Sequence, residues 1–263
     1  MSSAYHGIVT AQGHQRPARA AGFTFVELLI VIGIIALLIG ILLPVLGRAR
    51  ETAKWVTCLS NLRQMVIAAN TYADDHNGAY PIAYYWASEG SAFYSYAWDL
   101  TTIFRPGQPN EVVPGLLWGS GGTTKIQQCP SFDGQANWLT DPYTGYNYNT
   151  SFIGHGQFEA IVAPAKVTQI RNPSRTAIFG DGQYRAGANK FMRAPWPNPG
   201  DETFVGRWAG TQGFRHLKMT NVAFCDGHAE SLRDRFTDNA DGAANVSPGT
   251  GFLSSDNRMY GGE

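Results

Sequence analysis

Gly22-Phe23-Thr24-Phe25-Val26-Glu27, running directly into the apolar stretch Leu28–Leu46, decides the architecture of this chain. At a rise of about 1.5 Å per residue, those 19 residues form a helix of roughly 28 Å, close to the thickness of a bilayer's hydrocarbon layer. A secretory signal peptide has a shorter apolar region, about 7–15 residues, followed by a small-residue cleavage site. Here the stretch runs into Gly47-Arg48-Ala49-Arg50, so the helix is read as retained. Upstream, residues 1–22 hold Arg16, Arg19 and two histidines but no acidic residue, a short basic leader. Arg48, Arg50 and Lys54 follow the helix, so a count of Lys and Arg alone does not fix its orientation.

Glu27 stands where the apolar stretch begins. Carried to mid-membrane, a carboxylate costs about 2.5–3.5 kcal/mol, so Glu27 either marks the helix start at the interface or has a function. Gly22, with no side chain, fits closely into a protease site. Pro44 removes a helix hydrogen bond between Gly40 and Gly47, although membrane helices also tolerate an ordinary proline. The combined spacing of Gly22, Phe23, Glu27 and Pro44 resembles the type III signal of type IV pilins and type II secretion pseudopilins. That resemblance implies cleavage between Gly22 and Phe23 by a prepilin peptidase on the cytoplasmic side, then N-methylation of Phe23. It also implies an assembly and methylation role for Glu27 and a helix distortion at Pro44. In a filament the Glu27 carboxylate would pair with the new α-amine of a neighbouring subunit, each charge lowering the other's desolvation penalty.

The helical pattern continues beyond the membrane. Trp55, Leu59, Leu62, Val66, Ala69 and Ala73 step by four and three, with Cys58, Met65 and Tyr72 beside them, while Lys54, Asn61, Arg63 and Gln64 take the other side. Asp74-Asp-His-Asn-Gly78 ends the helix, with Gly78 expected at the C′ position. Strands are expected near Lys125–Cys129, Tyr146–Asn149, Lys166–Ile170, Thr176–Gly180, Asn221–Cys225 and Ala229–Leu232. Asp226-Gly227 has the composition of a tight hairpin turn. The expected fold is α+β and pilin-like: a long N-terminal helix, membrane-spanning in its first half, packed on an antiparallel sheet with long loops. The chain divides into a leader (1–22), a transmembrane helix (23–47), an exported amphipathic half-helix (48–78), a β-rich globular domain (79–236) and a C-terminal loop or tail (237–263).

Within the pilin-like proteins, Cys58-Leu-Ser-Asn-Leu-Arg-Gln-Met, Cys129-Pro-Ser and Pro173–Asp181 resemble a large bacterial group with this N-terminus. Members carry a His, nine residues, then Asp-Gly, here His216, Asp226 and Gly227. His216 and Asp226, with Asp181 as a third member, invite a catalytic reading. Turn geometry explains Asp226-Gly227 equally, with His216 reaching across the sheet to hydrogen-bond that turn. No nucleophile elbow, zinc-helix motif or phosphate loop is present.

Composition excludes one class of partner. Formal charge is zero over 263 residues, without the basic balance that nucleic-acid binding needs. Three cysteines allow at most one internal disulfide. Cys58 and Cys129 both fall in segments that resemble the family, and the outward compartment is oxidising, so a bridge between them is expected. Cys225, on an expected strand, is read as a small apolar residue. Asp234, Asp238 and Asp241, with Asn239, offer hard oxygen ligands of the kind calcium takes, or form an acidic solvated tail; no other cofactor is expected. The aromatics Tyr84-Tyr-Trp86, Phe93-Tyr94, Tyr96 and Trp98, with Trp118, Trp138, Trp196 and Trp208, serve packing or an interface. The functional expectation is a non-enzymatic subunit of a secretion pseudopilus or pilus-like filament in the bacterial inner membrane. Its partners are the prepilin peptidase, other pilin-like subunits and an inner-membrane assembly platform. The alternative is an anchored ectodomain that binds a ligand or carbohydrate, or hydrolyses one, and never polymerises.

Overall fold

The computed structural model describes residues 22–121, 128–136, 144–157, 159–161 and 163–262. They divide into two compact units at the Gly47/Arg48 boundary. The helix α1 (Phe25–Asp75) supplies the first unit and opens the second. In the first unit every large apolar side chain from Phe25 to Leu46 is exposed among the described residues. The helix α1 is the one helix among the described residues long and apolar enough to cross a membrane.

In the second unit the helix is amphipathic. Cys58, Leu62, Met65, Val66, Ala69 and Ala73 are buried at helical spacing and pack with Tyr80, Trp98, Tyr146, Tyr148, Phe179 and Ala223. A fully buried Leu, Val or Met contributes about 1.5–3 kcal/mol, so this face carries much of the packing free energy of the unit. Asn61 belongs to it as well, a correction to the polar side expected for it. Its amide donates to the Gln128 carbonyl and to the Tyr146 hydroxyl, which makes burial of the side chain acceptable. The helix stops because Asn77 enters the left-handed region (φ 54°) and the Gly78 N–H turns back to the Ala73 carbonyl at 2.8 Å. That bond from the second residue past the cap is a Schellman closure, so Asn77, not Gly78, occupies C′.

A four-stranded antiparallel meander follows: β1 (Tyr84–Glu89), β2 (Ala92–Ala97), β3 (Leu100–Phe104) and β4 (Glu111–Pro114). The main sheet comprises β5 (Asn147–Asn149), β6 (Ala177–Gly180), β7 (Phe191–Met192), β8 (Thr220–Phe224) and β9 (Ala229–Leu232), in the order β9-β8-β6-β5-β7. It is antiparallel except for its edge, where β5 and β7 run parallel. Between β6 and β8 the register passes from Ala223↔Phe179 to Phe224↔Ala177, leaving Ile178 as the extra residue of a bulge. Alternation along β8 sends Ala223 into the helix-side core, whereas Val222 and Phe224 enter a second core with Met192, Phe252, Leu253 and Tyr260. Both faces of the sheet are therefore covered.

The structure bears out the α+β class and most of the expected strands, with differences that have physical causes. Lys166–Ile170 is not a strand; Val167–Gln169 is a turn of 3-10 helix, started by the Gln169 side chain accepting from the Lys166 N–H. Of the expected strand Lys125–Cys129, residues 125–127 lie outside the described residues, as does Trp138, and Cys129 is not in a strand. The segment expected as a C-terminal loop or tail folds onto the sheet. The Ala177 N–H donates to the Met259 carbonyl and Asn149 donates to that of Tyr260, which anchors Phe252, Leu253 and Tyr260 in the second core.

Candidate functional site

Two places concentrate chemistry, the start of α1 and a buried cluster beneath its second half. At the start, the Thr24 carbonyl accepts the first helical bond, from the Leu28 N–H. The Thr24 N–H and hydroxyl both donate to Glu27 Oε2 at 2.8 Å, while the Glu27 N–H donates to Thr24 Oγ1 at 3.2 Å. This is a reciprocal capping box, with Thr24 at N-cap and Glu27 at N3. Gly22 and Phe23 precede it outside the helix, Phe23 exposed, and Pro44 lies inside α1.

The cluster is assembled from four segments. Cys58 comes from α1. Cys129 is fixed by its N–H donating to the Thr144 carbonyl, and Asp181 directly follows β6. His216 opens the turn into β8, where Leu217 and Lys218 both take positive φ (53° and 66°) and His216 bridges Met219. Cys58 Sγ is 3.1 Å from Asp181 Oδ1, and His216 Nε2 is 3.4 Å from both Cys129 Sγ and Asp181 Oδ2. These sulfur, oxygen and nitrogen atoms all lie within 4.8 Å of one another, and all four residues are buried. Arg215 completes the surroundings. Its guanidinium donates to Asp181 Oδ1 at 3.1 Å, to Cys129 Sγ at 3.3 Å, and to the carbonyls of Gly182 and Gly145. The Asn221 N–H donates to Asp181 Oδ2 at 2.7 Å.

Burial alone would raise the Asp181 carboxyl, but the Arg215 charge, then His216 and the Asn221 N–H, outweigh it and hold the group below its ordinary value. Burial likewise opposes the His216 charge, yet its hydrogen bonds to Asp181 and Cys129 push the imidazole up to about 9. Burial, with Cys129 beside it, pushes the Cys58 thiol up. Cys129 moves the other way: hydrogen bonding to Cys58, then His216 and Arg215, overcomes burial and draws it down. A lowered cysteine beside a histidine is what nucleophilic enzymes use. Here every member is buried, so no substrate reaches the sulfur in this conformation.

Several expected sites resolve differently. Cys58 and Cys129 do come together, but as free thiols rather than a disulfide. His216 does not meet the Asp226-Gly227 turn. Asp226 pairs with its own neighbour His228 (Oδ1 to Nδ1, 2.6 Å), and Gly227 at φ 99° closes the β8–β9 hairpin. Asp234, Asp238 and Asp241 form no such group of donors among the described residues. Asp241 Oδ2 instead accepts the Gly206 and Arg207 N–H groups at 2.9 and 2.6 Å. Cys225 is a buried free thiol just past β8, pushed up to about 12 chiefly by burial. Sequence reasoning missed Arg215, whose adjacency to His216 was the available signal. Most of the early aromatics pack across the meander, such as Tyr85 stacked on Tyr96 at 4.7 Å.

Among known proteins, residues 17–43 match the family model described as the prokaryotic N-terminal methylation motif. The match does not reach His216 or Asp226. No curated protein and no solved structure matches the chain. The chain carries, at the head of a membrane-length helix, the prepilin-type methylation motif that marks the pilin and pseudopilin family.

Proposed function

We propose that this protein is a pilin-like subunit that is cleaved between Gly22 and Phe23, methylated at Phe23, and assembled through α1 into a pseudopilus or pilus-like filament. The observation that carries the reading is that every large apolar side chain from Phe25 to Leu46 is exposed, behind a matched methylation motif. A helix apolar all round needs lipid or other helices around it. In the membrane, lipid supplies this; in a filament, the same segment of neighbouring subunits does. The globular domain is then exported, and the inner-membrane assembly platform and prepilin peptidase are its partners. The protein is the peptidase's substrate and catalyses nothing itself. Intact-mass and N-terminal analysis of the protein from membranes tests this. A mature chain beginning at methylated Phe23, abolished by Gly22→Ala or by loss of the peptidase, is the expected result. A chain still beginning at Met1 in cells that have the peptidase overturns it.

A second reading, a non-polymerising ectodomain that binds carbohydrate, draws on one observation. A groove of about 900 Å³ is lined by Tyr72, Tyr85, Tyr94, Tyr96 and Trp118, and aromatic faces are suited to sugar rings. Burial of His216 and Asp181 takes away the open cleft that a hydrolytic version of it requires.

A further inference from the structure

The pilin-like reading leaves the cluster beneath α1 unused, and that cluster has the composition of a metal centre. We propose that Cys58, Cys129, Asp181 and His216 bind one zinc ion as a closed structural site that clasps the second half of α1 to the main sheet.

Two sulfurs, one imidazole nitrogen and one carboxylate oxygen make a four-ligand set of the types zinc takes, with no position left for water or substrate. In a tetrahedral site with bonds of about 2.0–2.3 Å, neighbouring donor atoms lie about 3.3–3.8 Å apart. The separations of 3.4 Å from His216 Nε2 to Cys129 Sγ and to Asp181 Oδ2 fall in that range, Cys58 Sγ lies 3.1 Å from the other oxygen of the same carboxylate, and one donor atom from each of the four residues lies within 4.8 Å of the rest. Among the described residues the His216 ring has no hydrogen-bond partner at Nδ1, and Nε2 is the nitrogen that faces the other donors.

Charge supports the assignment. Buried charges must balance. Two thiolates neutralise one zinc ion, the imidazole binds as a neutral ligand, and the remaining carboxylate charge of Asp181 is matched by Arg215. The groups around the donors are those that orient ligands: the Asn221 N–H on the carboxylate and the Arg215 Nε on the Cys129 sulfur. On binding, each thiol loses its proton to solvent and forms a sulfur–metal bond, with no change of oxidation state.

The test uses the full chain, purified in detergent under reducing conditions, supplied with zinc and dialysed against metal-free buffer. About one zinc per chain is expected by elemental mass spectrometry. Cobalt in its place is expected to show thiolate-to-metal charge-transfer absorption and the visible bands of a tetrahedral ion. Cys129→Ser and His216→Gln should each lower zinc retention at least tenfold. To separate metal loss from unfolding of either variant, the cobalt spectrum of the unsubstituted protein decides independently. Failure of the reduced protein to retain zinc, or a cobalt spectrum without the sulfur band, overturns the proposal. So does a Cys58–Cys129 disulfide in protein alkylated directly from membranes. None of these outcomes bears on cleavage at Gly22, so the two readings fail separately.

Discussion

At the scale of single residues, the globular unit depends on charges that burial has forced into pairs. Glu159 receives both guanidinium branches of Arg193 at 2.9 and 2.7 Å, with His155 3.9 Å away. Burial alone would raise this carboxyl, but hydrogen bonds from His155 and Arg193 and their charges hold it below its ordinary value. A carboxyl depressed in the folded state gives stability that is complete above its unfolded value and is lost as pH falls through the folded one. Denaturant titrations from neutral to acid pH should therefore show the native protein losing this contribution below the ordinary carboxylate range. Glu159→Gln should be about 2 kcal/mol less stable at neutral pH and converge with the native protein in acid; a constant difference across the series would sink the assignment. Residues of this kind were not legible in the sequence. Glu159 and Arg193 are separated by 34 positions and carry no motif. Cys58, Cys129, Asp181 and His216 each drew notice, yet as a disulfide and as two members of a catalytic group built on Asp226, because nothing in one dimension shows that four loops and elements end at one point. The N-terminal motif, matched over residues 17–43, was legible because its residues are neighbours along the chain.

At the scale of elements, α1 shows how far periodicity reaches. Its buried face was readable from steps of three and four, and the Asp226-Gly227 hairpin from turn chemistry. Asn61 escaped because a polar side chain inside an apolar stripe is betrayed only by its acceptors. The meander of β1–β4 escaped for a different reason. Tyr84-Tyr-Trp-Ala-Ser-Glu89 and Ala92-Phe-Tyr-Ser-Tyr-Ala97 place aromatics on both faces, so the alternation that identifies a half-buried strand is missing. The helix face makes a sharp prediction. Leu62→Ala leaves a cavity under α1 and should cost about 2–5 kcal/mol, whereas Ile67→Ala, on the exposed face, should stay within about 0.5 kcal/mol. Equal losses in chemical denaturation would mean that α1 does not dock by the Leu62 face.

At the scale of the whole molecule, the globular unit joins its two larger sheets through a buried ion pair. Asp99, between β2 and β3, accepts from the Lys190 ammonium at 2.9 Å just before β7, and the Trp98 indole N–H donates to the Lys190 carbonyl at 3.1 Å. Removing one partner leaves a charge stranded in the core, so Asp99→Ala should cost about 3–5 kcal/mol. Pairing Asp99→Asn with Lys190→Met should recover part of that loss. A double variant no more stable than Asp99→Ala would show that the pair is not coupled. The other end of the chain raises a question of waiting rather than holding. Glu27 enters a membrane-length helix with its carboxylate already occupied by the N–H and hydroxyl of Thr24. On the proposed reading, a lone subunit in lipid brings its own chaperone for the charge, three residues away, and need not find a neighbour before it can be inserted. On the proposed assembly route, a neighbour's amine takes the place of a threonine that has kept the site in readiness. Joining the filament then becomes an exchange of donors, not the rescue of a bare anion.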